Sequence, residues 1–152
     1  MRRLIILLSS NLGLGYAPVA SGTFGTLAGI PCFWLLAGRP AAVQLGAYLV
    51  LLALSFWAAE QAGRIYQSAD DGRIVIDELM GYLTTVLFLP FSWSTACAAF
   101  FLFRFFDIAK PPPASTIDRR MKNGIGVVLD DVAAGIYAAA TLRIYLWLLS
   151  QW

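Results

Sequence analysis

Five carboxylates in this chain stand where a carboxylate is expensive. Asp77 and Glu78 are adjacent, between Ile74-Val75-Ile76 and Leu79-Met80. Asp130 and Asp131 are adjacent, between Val127-Val128-Leu129 and Val132-Ala133-Ala134, and Asp107 follows Phe105-Phe106. A charge at the edge of hydrocarbon is costly unless something positive is bound to it. Carboxylates without histidine or thiolate partners suit a hard cation with oxygen ligands, and magnesium is the natural candidate because it binds through a few carboxylates plus substrate phosphate. Adjacent residues on a helix point about 100° apart, so one acid of each pair can face a metal while its neighbour supports it or faces water. The plain alternative is that these are helix-start acids favoured by the dipole.

Bases stand beside the acids. Arg104, Asp107 and Lys110 follow one another at spacings of three, which on a helix places them along one stripe. Arginine and lysine flanking an acid can hold a phosphate beside its metal; an interfacial pair with an intrahelical ion bridge is the structural alternative. A small-residue, hydroxyl-rich loop, Pro18-Val19-Ala20-Ser21-Gly22-Thr23-Phe24-Gly25-Thr26, opens an apolar segment. It can present hydroxyls and backbone amides to an anion, or simply permit close helix packing. Ser21 or Thr23 is a candidate cap for that segment.

The absence of histidine removes the commonest general base and zinc ligand. The two cysteines, Cys32 and Cys97, lie in apolar runs and read as buried small hydrophobes, which argues against a cysteine phosphatase mechanism.

The elements that must position these groups are membrane-like. Of 152 residues, 59% are hydrophobic and 13% charged, with mean hydropathy +0.71; a soluble domain carries about 25% charge. The net charge of +2 offers no nucleic-acid stripe, and no protein partner is inferable. The length suits a single domain, 1–152. The start, Met1-Arg2-Arg3 followed by Leu4 to Leu8, resembles a signal peptide but its apolar core is short for one, so it is expected to be retained at the interface. Phe24 to Gly38 and Ala41 to Ala59 predict a helical hairpin around Gly38-Arg39-Pro40. Glu60 to Arg73 is a polar stretch with a turn at Asp70-Asp71-Gly72, and Ile74 begins the acid-bearing helix. Leu79 to Phe103 carries no charge; a turn at Pro90-Phe91-Ser92 brings Asp77 and Asp107 to about the same depth. Lys110-Pro111-Pro112-Pro113 ends that hairpin, 114–123 form a basic loop, and a last helix starts near Gly124 or Gly126. The expectation is an all-α membrane bundle of about five segments, two hairpins and a terminal helix. Arg2, Arg3, 60–73 and 104–122 then share the cytoplasmic side. Trp93, Tyr145, Trp147 and Trp152 read as interfacial aromatics.

Four blocks resemble motifs of the phosphatidylglycerophosphatase A family, in family order: Ala17 to Leu27, Asp70 to Gly81, Phe103 to Pro113, and Gly124 to Gly135. The resemblance implies a bacterial inner-membrane phosphatase that removes the terminal phosphate of phosphatidylglycerophosphate with magnesium. It puts Asp77, Glu78, Asp107, Asp130 and Asp131 on the family's acidic positions, Arg104 and Lys110 on its basic ones, and Ser21, Gly22 and Thr23 on its loop. Some members have proline before the Gly-Thr where this chain has Ser21, so a hydroxyl role is better placed on Thr23. Some carry histidines; this chain has none, so histidine is not essential to its reaction.

The expected chemistry is metal-assisted hydrolysis of a phosphomonoester. The five acids hold one or two magnesium ions, and Lys110 with Arg104 stabilises phosphoryl charge. Asp77 or Asp131 serves as base, or an aspartate attacks to give an aspartyl-phosphate. Asp77, Asp107, Lys110 and Asp131 are the catalytic candidates. The rival class is a small cation or proton-coupled transporter, since intramembrane acids mark ion paths. Against it, the acids cluster near one face and the middle of each span is uncharged.

Overall fold

A computed structural model describes residues 1–151; Trp152, expected at the interface, lies outside them. Eight α-helices form in chain order: α1 Arg2–Ser9, α2 Ser21–Leu27, α3 Gly29–Leu36, α4 Ala41–Tyr66, α5 Ile76–Val86, α6 Trp93–Ala109, α7 Ala114–Arg120 and α8 Gly124–Leu149. A single 3-10 turn spans Leu14–Tyr16, and no strand occurs among the described residues. The all-α expectation stands.

Helix α5 is the hub. Nine of its residues are buried, from Ile76 to Val86, including Met80 and Tyr82 at 0% exposure. Helices α2, α3, α4, α6 and α8 pack around it, α8 most extensively. The α5–α8 crossing is close because it is made of glycine. A side chain at Gly81 would collide with Phe103 and the Asp131 carbonyl, and one at Gly135 with the Gly81 carbonyl and Thr84. Small residues let two helix backbones approach where apolar surroundings give no extra drive for association. Gly81 lies one turn after Asp77 and Gly135 one turn after Asp131, so this contact also sets the acids side by side.

The far end of α5 is closed by α8. Arg143 donates to the Leu87 carbonyl at 2.6 Å and the Thr85 carbonyl at 3.4 Å. Those are orphan acceptors at a helix C-terminus, where a cation is favourable. Gln44 of α4 accepts the Phe88 amide at 3.1 Å.

Two helices, α4 and α8, are long and apolar enough to cross a membrane. Both expose apolar side chains outward: Leu45, Leu49, Val50 and Leu54 on α4, Ile136, Ile144 and Leu148 on α8. A surface of that kind suits lipid better than water. The remaining expected segments are shorter. Helix α5 has 11 residues and rises about 16 Å, and α6 has 17 and rises about 26 Å, against a hydrocarbon core of about 30 Å. The five-segment count took α5 for a full crossing because hydropathy cannot see that the helix already stops at Val86, nor that it is enclosed by protein. The hairpin at Pro90 is present, with Ser92 capping α6 by accepting the Thr95 amide at 3.1 Å.

Other boundaries shift. Helix α4 continues through Glu60 and Arg64 to Tyr66, so the polar stretch is half helical. The expected basic loop forms α7. Helix α8 starts at Gly124, with Asn123 accepting the Gly126 amide at 2.8 Å. Cys32 is partly exposed and Cys97 exposed rather than buried; Cys97 shares the outward side of α6 with Phe101, Phe105 and Ile108. Trp93, Tyr145 and Trp147 are all exposed.

Candidate active site

The first turn of α5 delivers Asp77 and Glu78. Asp77 accepts the Glu78 amide at 3.1 Å, which fixes its carboxylate beside the helix start. Two turns into α8, Asp131 comes up against them. One oxygen from each of Asp77, Glu78 and Asp131 lies within 4.8 Å of the others. Asp77 is 6% exposed and Asp131 4%, so neither charge is relieved by water. Asp107, from the last turns of α6, is linked to Glu78 through Arg104.

The bases occupy the rim. Arg104 donates to Asp107 at 2.6 Å and stands 4.0 Å from Glu78, linking α6 to α5. The expected helical stripe breaks at Lys110. That residue is the C-cap of α6 at φ 41°, in the left-handed region. Glycine would adopt it more cheaply, by about 1 kcal/mol. The three prolines behind it stop the helix, and the turn swings the Lys110 ammonium across to Asp130 on α8, where the two form an ion pair. Partial burial pulls the Lys110 pKa down, but hydrogen bonding and charge from Asp130, then the charges of Asp131 and Asp107, outweigh it, and the net shift is upward. Lys110 therefore stays a cation throughout the physiological range.

The loop expected to bind an anion is placed differently. Helix α2 already begins at Ser21, after Ala20 at φ 52°, and neither Ser21 nor Thr23 caps it. A cap must precede the helix, and these residues lie inside its first turn. Ser21 instead donates to the Gly72 carbonyl at 2.6 Å, and Thr23 is half-buried. Gly22 is the loop residue that touches the acids: any side chain there would collide with the Glu78 carboxylate and crowd the Arg104 guanidinium.

The structure thus joins Asp77, Glu78 and Asp131 in one group, sets Asp107 with Arg104 beside it, and ties Asp130 to Lys110. A divalent cation fits this donor set. Every donor is a carboxylate oxygen, and two oxygens, Glu78 Oε2 and Asp130 Oδ1, are buried without a hydrogen-bond partner. Buried polar atoms are almost always paired, so such orphans mark a place for a ligand.

Several supporting residues escaped the sequence reading. Asn11 donates to the Val75 carbonyl at 2.7 Å and the Gly25 carbonyl at 3.4 Å, tying the first loop to α2 and to the start of α5. Glu60 accepts the Gly124 amide at 2.9 Å and so pins the start of α8 to α4. Tyr137 donates to the Pro112 carbonyl at 2.6 Å and stacks on Phe106, holding the turn that carries Lys110. Arg73 pairs with Asp71 at 2.7 Å and lies over the Tyr66 ring, and that hydrogen bond holds the Asp71 carboxyl below its ordinary range. Glu60, Asp71 and Arg73 stood in the expected polar stretch; Asn11 and Tyr137 act through partners far away in sequence.

The family model of phosphatidylglycerophosphatase A matches residues 7–146. Phosphatidylglycerophosphatase A of Escherichia coli (strain K12) is 34% identical over 139 residues, which cover 90% of this chain and 80% of that protein. Its counterpart from Haemophilus influenzae is 36% identical over 151 residues, 95% of this chain and 91% of the relative. A protein of Bacteroides thetaiotaomicron named as a putative phosphatidylinositol-3-phosphatase is 32% identical over 153 residues, 95% of this chain and 94% of the relative. No solved structure matches. All four sequence blocks that carry the acids, the bases and Gly22 fall inside the matched region, and the chain belongs to the phosphatidylglycerophosphatase A family.

Proposed function

We propose that this chain is a magnesium-dependent lipid phosphatase that hydrolyses the terminal phosphate of phosphatidylglycerophosphate to give phosphatidylglycerol, a step in phospholipid biosynthesis. The observation that carries the reading is the convergence of acids from α5, α6 and α8 with Arg104 and Lys110 at one end of the bundle, two buried oxygens being left unpartnered. The phosphatase class follows from the family. Asp77, Glu78 and Asp131 would hold the metal, with Asp107 and Asp130 beside them; when bound, magnesium supplies positive charge to the phosphoryl oxygens and makes water more acidic.

The chain's own residues do the rest. Lys110 and Arg104 donate to the phosphoryl oxygens that are not attacked, and these charge-assisted bonds strengthen as charge develops in the transition state. Arg104 is oriented for this by Asp107 and Glu78. Asp131 or Asp77 takes the proton of the attacking water. Gly22 gives the Glu78 carboxylate the room it occupies against α2. The acyl chains stay in the bilayer while the head group reaches the acids.

In this reading the protein sits in a bacterial inner membrane with α4 and α8 crossing it. Helix α5, enclosed by the others, stops short of a full crossing, and Arg2, Arg3, Arg64, Arg73 and the bases of α7 face the cytoplasm. No observation favours transport: beyond the acids, α5 is packed on all sides and its far end is closed by Arg143.

Phosphate release from purified protein, with and without magnesium, tests the reading. Asp77→Asn, Asp107→Asn and Asp131→Asn variants that keep wild-type rates would overturn it. Magnesium at about 100 times its Kd should stabilise the fold by about 2.7 kcal/mol, and Asp77→Asn or Asp131→Asn should lose that stabilisation. Running phosphatidylinositol 3-phosphate beside phosphatidylglycerophosphate decides between the head groups in the relatives' names. A phosphoenzyme trapped with beryllium fluoride would replace water attack by an aspartyl-phosphate route.

A further inference from the structure

An apolar groove of about 480 Å³ lies against the first turn of α5, and nothing in the mechanism uses it. Leu12, Leu14, Ala28, Pro31 and Cys32 line it, and buried Leu79 contributes from α5. No charged side chain lines it; Asn11 is its polar member. Two observations give the groove an occupant.

The first is continuity with the site. Leu79 is the residue after Glu78. Asn11, on the same groove, holds the Val75 carbonyl at the base of the acid-bearing turn. The groove and the acid cluster therefore share the first turn of α5.

The second is the loop that forms one wall. Asn11, Leu12 and Gly13 all have left-handed backbone, at φ 47°, 61° and 98°. The turn is held by the Leu12 amide on the Leu7 carbonyl at 2.8 Å and the Gly13 amide on the Ser10 hydroxyl at 3.0 Å. It sends Asn11 inward and leaves Leu12 80% exposed. Left-handed backbone is unfavourable for leucine, and an exposed leucine gains nothing from water. Beside hydrocarbon it is at home.

We propose that one acyl chain of the lipid substrate lies in this groove, against Leu12, Leu14, Cys32 and Leu79, while the phosphate meets Arg104 and Lys110. The proposal rests on the lipid phosphatase reading and adds where the substrate's tail is held. A chain that leaves the bilayer for the groove moves from hydrocarbon to hydrocarbon, so little binding energy is gained. The groove orients: it aims the head group at the acids, and its loss is read in the rate on long-chain substrate.

Cys32 allows the groove to be filled after folding. In a Cys97→Ser background, Cys32 of the solubilised protein is modified to completion with a bulky maleimide, checked by mass spectrometry. The expected result is about a tenfold fall in kcat/KM on dioleoyl phosphatidylglycerophosphate, the size of effect that misplacing a substrate produces, with the dihexanoyl lipid unaffected. Protein carrying Cys32→Ser as well, treated alike, keeps full activity on both. Equal rates on both lipids after modification, or an equal fall on both, overturns the groove. A labelling arm needs no turnover: dioleoyl lipid slows modification of Cys32 and dihexanoyl lipid does not. Equal labelling rates with both lipids also overturn it. Chain-length-dependent protection in a protein that releases no phosphate would reject the reaction while upholding the acyl seat.

Discussion

The two ends of α5 are built from the same kind of parts and come out differently. At its C-terminal end one arginine from α8, Arg143, meets the carbonyls of Thr85, Leu87 and Ala139, and Gln44 takes the next amide. At its N-terminal end α8 again supplies the charge, but as acids meeting acids: Asp131 against Asp77 and Glu78, with Asp107 alongside. Two bases, Arg104 and Lys110, compensate them in part, and two buried oxygens keep no partner. A cation bonded to helix carbonyls completes the fold. A buried acid group short of positive charge is costly to the fold and is explained by what binds there. The orphan atoms, more than the density of charge, separate the end proposed to work from the structural one.

Four substitutions test that contrast, the largest effect first. Asp131→Asn should lower phosphate release by about 10²- to 10⁴-fold with the helical circular dichroism and elution volume unchanged; near-normal turnover would move the working end elsewhere. Gly135→Val acts on the shared scaffold. It should push α5 from α8, cost about 1–3 kcal/mol of stability, and lower activity about 100-fold for each ångström of displacement between Asp77 and Asp131; melting and turnover measured together check it. Arg143→Met should cost about 0.5–1.5 kcal/mol by removing its hydrogen bonds to the carbonyls at the end of α5, seen as a lower Tm, while kcat/KM per folded molecule stays the same. A loss of turnover without a loss of stability would make the two ends alike. Asp71→Asn probes a satisfied pair near the loop that Ser21 anchors. The Asp71 pKa is depressed in the fold by Arg73, so its stabilisation is present above the unfolded carboxyl value of about 3.9 and fades as pH falls through the lower folded value. The variant should melt slightly earlier at pH 7, and the difference should shrink below about pH 4; a constant difference would mean that the charge is not what acts.

How far the sequence could be read follows the range of the interactions. The hairpin break at Pro90, the stop before Pro111 and the start of α8 at Gly124 were all legible, because proline, caps and apolar runs act within one turn of chain. The same local rules misjudged α5. Eleven residues inside a long uncharged run look like half of a membrane hairpin, yet they form a short central helix wrapped by five others. They also misplaced Lys110, because the i, i+3 rule assumes a helix that the left-handed turn has already ended. Ser21 and Thr23 were read as caps when the helix starts at Ser21 itself.

By itself the chain's sequence determined its membrane-like character and its family, since each depends on which residues are present and in what order. Only the tertiary structure decided which acids meet. Asp77, Glu78 and Asp131 share one point, whereas Asp107 goes to Arg104 and Asp130 to Lys110. Each helix position turns a side chain by about 100°, so membership in the cluster depends on how α5 and α8 are rotated against each other. That rotation is set where Gly81 and Gly135 touch, residues separated by more than fifty positions along the chain.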